Sequence, residues 1–310
     1  MNLILITYEY LNNIKYSIKK RTYLFYCQLV ELYLYKHFNF DIENISNEFI
    51  NKIVSNNLTN YSNSTINLII GLLKRVLTFA YNKKYIPYPI ILKCRTQKKI
   101  YKSIQTLQKL EWQKLENYIL TNKKFYHYGI LISLYTGLRI GELLALKWNA
   151  INFKNKTMKI TATICDISYE NQIYHIEDTP KSQSSLREIP LTSEMITLLK
   201  ELKEFQKNNS EYVVSRASGK QIMVRSYQDS FTRLLKRLNI QHYGFHSLRH
   251  TFATNCYKLG MDIKTLSELL GHSSVEVTLK IYVHTDIDTK RNALSLISKK
   301  IRKNNCQQNF

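Results

Sequence analysis

Between His246 and Tyr282 the chain reads HSLRHTFATNCYKLGMDIKTLSELLGHSSVEVTLKIY, which spaces two histidines, an arginine and a tyrosine as work on a phosphodiester would need them. His246 and Arg249 are three residues apart. On a helix that starts near Ser247 they share one face of the first turn, where the positive end of the macrodipole favours an anion. Gly271 and His272 follow, and Tyr282 closes the stretch. A phenol beside such cations can act as a nucleophile that holds a phosphoryl group covalently, which divides a hard displacement into two steps and needs neither metal nor cofactor. Upstream, Arg139 lies in TGLRIGELLALKW just past Gly137, with Glu142 three residues on. A guanidinium at a glycine-broken helix start can fork onto phosphate oxygens, with Glu142 orienting it. The bland reading of that pair is a solvated ion pair worth a few tenths of a kcal/mol.

Other residues carry less by themselves. Lys181, in the loop TPKSQ, is a lysine where lysines are common, and Tyr282 is one of 23 tyrosines. His242, His246 and His250 fall at i, i+4 and i+8, but no acidic or thiol partner accompanies them and the glutamate of an HExxH pair is missing, so no metal site is expected.

These residues must be positioned by helices and a small sheet. From Ser17 to about Lys84 the pattern is helical, with one segment over 22–38 and a second, short one capped by Ser46. After Ser64, residues Ile66, Ile69, Ile70, Leu73, Val76, Leu77 and Ala80 fall on one face, with Gly71 inside the helix allowing close packing. Residues 85–105 hold Pro87, Pro89 and a basic run, and read as a linker. Beyond it, helices are expected near 107–120 and 124–135. Strands follow at 157–165, 172–178 and 185–190, with Lys181 at the tip of the last hairpin. Helices at 193–207 and 227–238 come next, the latter capped by Ser226 and Asp229, and a last helix near 288–302 leads into a polar tail.

Composition narrows the partner. Lys and Arg outnumber Asp and Glu by 45 to 23, a formal charge of +22 over 310 residues, which favours polyanions through counterion release. An AT-rich codon bias toward lysine is the competing explanation. No run of about 18 apolar residues exists, so a membrane partner fits poorly. The opening MNLILITYEYLNN has too short an apolar core for a signal peptide, and five cysteines at scattered spacing read as reduced thiols in a cytoplasmic protein.

As an ordered set, Arg139, Lys181, His246, Arg249, His272 and Tyr282 resemble the tyrosine recombinase (phage integrase) family. The matching segments are TGLRIGELLAL, TPKSQSSLREIPL, HSLRHTFAT and LGHSSVEVTLKIYVH. The resemblance covers about residues 107–290. It extends more weakly over 15–90, where SIKKRTYLFY and STINLIIGLLKRVLTFAYNKKYI look like that family's core-binding domain. It implies a mainly α fold with a small β-sheet (α+β). The expected domains are a helical core-binding bundle at 1–88, a basic linker at 89–105, and a catalytic domain at 106–310 with a three-stranded antiparallel sheet and a tail helix. An N-terminal arm-binding domain is not expected, since only about 15 residues precede the first match.

By resemblance, Tyr282 attacks a scissile phosphate to give a 3′-phosphotyrosyl bond, with His246 as general base and Lys181 as general acid. Arg139 and Arg249 clamp the nonbridging oxygens and His272 donates to the same phosphate. Lys15, Lys19, Lys20, Arg21, Lys74, Arg75, Lys98 and Lys99 are the expected contacts to the DNA backbone. The implied partners are double-stranded recombination sites, a homotetramer in the synaptic complex and an accessory directionality factor, in a cytoplasmic, nucleoid-associated setting without a cofactor. Ser247 stands where many relatives carry Asp, and it too can cap a helix. Integration and excision of a mobile element is the expected role. The alternatives are Xer-like dimer resolution, inversion, a type IB topoisomerase and a DNA-binding module without catalysis.

Overall fold

The computed structural model describes residues 1–42, 45–58, 60–92, 105–179, 183–206, 209–282 and 295, without the side chains of 57, 183 and 280–282. Its contacts divide the chain into two compact units: Met1–Ser103 with Ile164–Asp178, and Ile104–Thr163 with Thr179–Phe310.

The first unit is helical. It holds α1 (Leu3–Ile14), α2 (Lys20–Leu29), a π turn at Val30–Leu34 running on into α3 (Tyr35–His37), α4 (Asn47–Asn57) and α5 (Asn63–Asn82). Ser46 caps α4 as expected, its hydroxyl accepting from the Phe49 amide at 3.0 Å. Helix α5 buries Ile69, Ile70, Leu73, Val76, Leu77 and Ala80, the stripe expected from its periodicity. Its length and composition would suffice to cross a membrane, but those residues pack into the core of this unit with Leu3, Ile6, Leu34, Phe38 and Ile50. Gly71 corrects the expectation of close packing. A Cβ there would meet nothing within 4 Å, so this glycine faces open space. The opening residues, for which no element was singled out, form a helix whose Leu3, Ile4, Ile6 and Leu11 are core.

The second unit begins with α6 (Lys109–Asn122), a 3-10 turn at Phe125–His127, α7 (Tyr128–Thr136) and α8 (Ile140–Ala145). Helix α7 is mostly apolar and buried except at Tyr135, with Ile130, Leu131 and Ile132 at 1% exposure or less. Five strands follow: β1 (Ile151–Asn152), β2 (Thr157–Ile160), β3 (Thr163–Tyr169), β4 (Gln172–Asp178) and β5 (Arg187–Pro190). Helices α9 (Ser193–Phe205), α10 (Val224–Arg237), α11 (His246–Lys258), α12 (Ile263–Leu270) and α13 (Val275–Tyr282) complete the order among the described residues.

The sheet differs from expectation. Three antiparallel strands are present, but in the order β1-β2-β5, with Met158 opposite both Ile151 and Ile189. The expected strand 157–165 breaks after Ile160, and its second half pairs with β4 in a separate two-stranded sheet. Glu170 and Asn171 make the two-residue turn of that hairpin with φ of 50° and 56°, the positive pair a type I′ turn requires. Strands β4 and β5 do not pair with each other; Lys181, expected at a hairpin tip between them, lies outside the described residues.

The β3–β4 hairpin belongs to the first unit, where the sequence-based boundaries had not put it. Tyr169 packs on that unit's core, the Glu170 amide donates to Glu31 at 3.3 Å, and Lys19 pairs with Asp178 at 3.2 Å. The expected Ser226–Asp229 capping pair is not formed. Helix α10 starts at Val224 behind Met223, and Asp229 pairs with Arg225 at 3.3 Å. Most of the linker run, with Lys98 and Lys99, and the expected tail helix lie outside the described residues.

Candidate active site

The site of the second unit is built around the last turn of α12. Gly271 ends that helix in the left-handed region at φ 63°, which leaves its final carbonyls without helical partners. Three consecutive ones accept from three different guanidiniums. Arg187 Nε donates to the Leu269 carbonyl at 2.7 Å, Arg249 Nη2 to that of Leu270 at 2.6 Å, and Arg139 Nη2 to that of Gly271 at 3.2 Å. Arg139 Nη1 also reaches the Leu270 carbonyl at 3.4 Å. The negative end of a helix dipole suits cations, so the turn gathers positive charge that would otherwise repel itself.

Each arginine comes from a different element. Arg139 precedes α8, just beyond Gly137, which closes α7 at φ 68°. A Cβ on Gly137 would lie 2.6 Å from Phe252 Cδ1 and 2.9 Å from Leu270 Cδ2, so only glycine fits where this turn meets α11 and α12. The Gly137 carbonyl in turn accepts from Arg249 Nη1 at 2.8 Å. Arg249 projects from α11 and is 1% exposed, whereas Arg139 keeps 35% of its side chain open.

Glu142 lies beneath Arg139 at 3% exposure. Its oxygens accept from Arg139 Nη1 at 2.7 Å, from the Arg139 amide at 3.0 Å, and from Arg187 Nη1 and Nη2 at 3.2 and 2.8 Å. Burial pushes this carboxyl up. The hydrogen bonds and charge of Arg187, with Arg139 and Arg249 behind, outweigh burial and hold it at about 2. Arg187 and Glu142 are therefore a buried, two-pronged ion pair. Sequence reasoning missed Arg187, because an arginine in a short strand carries no spacing signal; the segment SSLREIPL was visible, its inward-facing guanidinium was not.

Helix α11 begins one residue before the expected start, at His246, behind Phe245. Ser247 is therefore not the cap; its hydroxyl donates to the Gly244 carbonyl at 2.7 Å. His246 is exposed by surface area yet ringed by protein atoms and cations, and that ring governs its titration. Dehydration, then His250 at 4.6 Å between ring centroids, then Arg249 and Arg139 push it down to about 4. His272 follows Gly271 and sets its Nδ1 2.8 Å from the hydroxyl of buried Thr278 in α13, a second residue missed from sequence. Burial, then Arg249, Arg139, His246 and Arg187, push His272 down to about 3. Both imidazoles are thus neutral at pH 7, one able to take a proton and the other to donate a hydrogen bond without adding charge. Tyr282 closes α13, and its side chain lies outside the described part.

Arg139, Glu142, His246, Arg249 and His272 are therefore brought together. The described basic residues expected to meet the DNA backbone belong to the first unit. Lys15, Lys19, Lys20, Lys74 and Arg75 are exposed and Arg21 is half-buried. Lys19 is paired with Asp178, and the Arg75 guanidinium donates to the Tyr26 hydroxyl. No group of three or more His, Cys, Asp and Glu suited to a metal ion occurs among the described residues.

The family model described as the phage integrase family matches residues 96–288. A tyrosine recombinase XerC-like protein of Caldanaerobacter subterraneus subsp. tengcongensis is 30% identical over 261 residues, 76% of this chain and 66% of that protein. The transposase from transposon Tn916 of Enterococcus faecalis is 28% identical over 184 residues, 55% of this chain and 45% of that protein. The matched part thus spans less than two thirds of the length of these two relatives. Among solved structures, the Tn1549 transposon integrase in complex with transposon right end DNA has a TM-score of 0.77 at 22% identity, covering 96% of this chain and 100% of that one. A lambda integrase tetramer bound to a Holliday junction has a TM-score of 0.69 at 17% identity, covering 93% of this chain and 80% of that one. At these identities the likeness is one of fold.

Proposed function

This chain belongs to the phage integrase family, and on that premise we propose that it is a tyrosine-type site-specific DNA recombinase serving the integration and excision of a mobile element. The observation that carries the reading is the sharing of the Leu270 carbonyl by Arg139 and Arg249, with neutral His246 and His272 beside them. Two guanidiniums from elements far apart in sequence, held together against their own repulsion, are what a doubly charged, developing phosphorane requires.

In this reading the Tyr282 oxygen attacks the scissile phosphorus and its proton passes to His246. The bond from phosphorus to the 5′-oxygen breaks, Lys181 protonates that oxygen, and a 3′-phosphotyrosyl bond remains. Arg139 and Arg249 hold the nonbridging oxygens. His272, its Nδ1 facing Thr278, donates to one of them from Nε2. Reversal with the 5′-hydroxyl of another strand rejoins the DNA without ATP or metal, because the phosphotyrosyl bond keeps the reactivity of the bond it replaced. The partners are duplex recombination sites, a tetramer of this chain and a directionality factor, acting at the nucleoid in the cytoplasm. Lys15, Lys20, Arg21, Lys74, Arg75, Lys98 and Lys99 meet backbone phosphates, joined by Lys19 once its pair opens. The XerC-like relative favours dimer resolution by the same chemistry as the second reading.

Plasmids carrying one or two copies of the element–host junction test this proposal. Recombinants that require two copies support it. Relaxation of any supercoiled plasmid without recombinants would place the chain with type IB topoisomerases, and binding without either product would make it a DNA-binding module.

A further inference from the structure

Arg187 is a cation that does not face solvent. Its side chain is 6% exposed, and its donors go to Glu142 through both terminal nitrogens, to the Leu269 carbonyl, and to the Ser185 carbonyl at 3.2 Å. A Cβ on Gly271 would come within 2.9 Å of its Nη1, so the guanidinium fills the space under the turn that precedes His272. Burying a guanidinium is costly unless it is paired and hydrogen-bonded, and here one carboxylate and two carbonyls accept four hydrogen bonds from it. Arg139 differs on each count. It holds Glu142 through one side-chain nitrogen and its own amide, and it keeps 35% of its surface open.

We infer that Arg187 is a positioning residue for the active site. By occupying Glu142 with two prongs, it stops that carboxylate from pairing in the same way with Arg139, and leaves Arg139 available to a phosphate. Through Leu269 it also fixes the turn that carries His272. The inference rests on the reading of Arg139 as a phosphate ligand. It differs from a plain stabilising role in one respect: the harm done by losing Arg187 comes from the carboxylate left behind, and removing that charge undoes part of it.

The test compares R187M, R187K, E142Q and the R187M/E142Q pair with the wild-type chain, on a nicked suicide duplex carrying the junction sequence. R187M lowers the rate of covalent adduct formation by about 100-fold, the scale of a misplaced catalytic group, with duplex binding within about twofold. R187K recovers only part of the rate, since an ammonium cannot fork onto a carboxylate. R187M/E142Q forms adduct about tenfold faster than R187M, because no orphaned carboxylate captures Arg139. A double variant no faster than R187M, or a loss of rate that follows thermal stability across the set, overturns the inference. Should R187M not fold, R187K with and without E142Q carries the same comparison.

A second readout needs no DNA. Glu142 is faced by Arg139 beside α8, Arg187 of β5, and Arg249 and His246 of α11. Loss of Arg187 should move the acid unfolding midpoint upward, and E142Q should abolish that movement. An unchanged midpoint contradicts the inference. If the wild-type chain forms no adduct, it is the recombinase reading that fails, while the acid midpoint still decides whether Arg187 governs Glu142.

Discussion

His246 and His272 titrate low because surrounding protein displaces part of their water and both face Arg249 and Arg139, so their effect on pH dependence has a definite sign. A free imidazole is protonated below about 6.5, and these two bind a proton in the folded chain only near about 4 and about 3. With His246 as base, cleavage measured at subsaturating protein should keep its full rate below pH 6.5 and fall only as pH approaches 4, since that regime reports the free enzyme. An acid limb centred at 6.5 would contradict the burial argument. Stability follows the same protons. Between pH 6.5 and 4 the unfolded chain binds protons at these histidines that the folded one does not, so acidification through that window weakens folding. Glu142 acts lower: its contribution is complete above about 4.5 and is lost as pH falls through about 2. Denaturant midpoints at pH 7.5, 5.5 and 4.5 should therefore decline in that order.

At the scale of elements, two glycines predict opposite outcomes. Gly137→Ala forces a left-handed residue into Phe252 and Leu270, and should cost about 2–5 kcal/mol while displacing the carbonyl that holds Arg249. Gly71→Ala, in open space on α5, should stabilise the chain by about 0.5–1 kcal/mol. Urea titrations of both variants check the pair, and a stabilising Gly137→Ala would refute the turn geometry. Helix α5 was legible because a one-sided apolar stripe over 20 residues leaves little choice. The α1 segment was not read as a helix, since LILITYEYL is apolar nearly throughout and gives no face. The break between β2 and β3 falls at Thr161-Ala162, where no glycine or proline marks a turn, and so the packing of the hairpin on the first unit could not be foreseen. Arg139, His246, Arg249 and His272, which the fold gathers at one turn, were legible by type and order. Arg187 and Thr278 were not, because what distinguishes them is the direction in which their side chains point.

The whole molecule carries a formal charge of +22, so the proposed recombinase should hold duplex DNA in a strongly salt-dependent way. Duplex affinity should fall linearly on a log–log plot against salt, with a slope of about −0.9 per phosphate neutralised. Lys20→Ala and Lys74→Ala should each reduce that slope by about 1 and weaken all sequences alike. Lys19→Ala should do less, since its ammonium already sits 3.2 Å from Asp178 and must leave it first. Filter binding at a series of salt concentrations separates the three, and equal losses at Lys19 and Lys74 would remove the ion pair from the account.

The proposed recombinase requires that the arginine-lined turn of α12 serve a tyrosine that becomes covalently joined to DNA. The most direct measurement incubates the wild-type chain and Tyr282→Phe with a nicked suicide duplex of the junction sequence, and looks for a protein–DNA species that survives denaturant. The wild type should form an adduct, its 3′ end blocked and its peptide mapping to Tyr282, and the phenylalanine variant none despite equal binding. An adduct that persists in Tyr282→Phe would contradict that requirement.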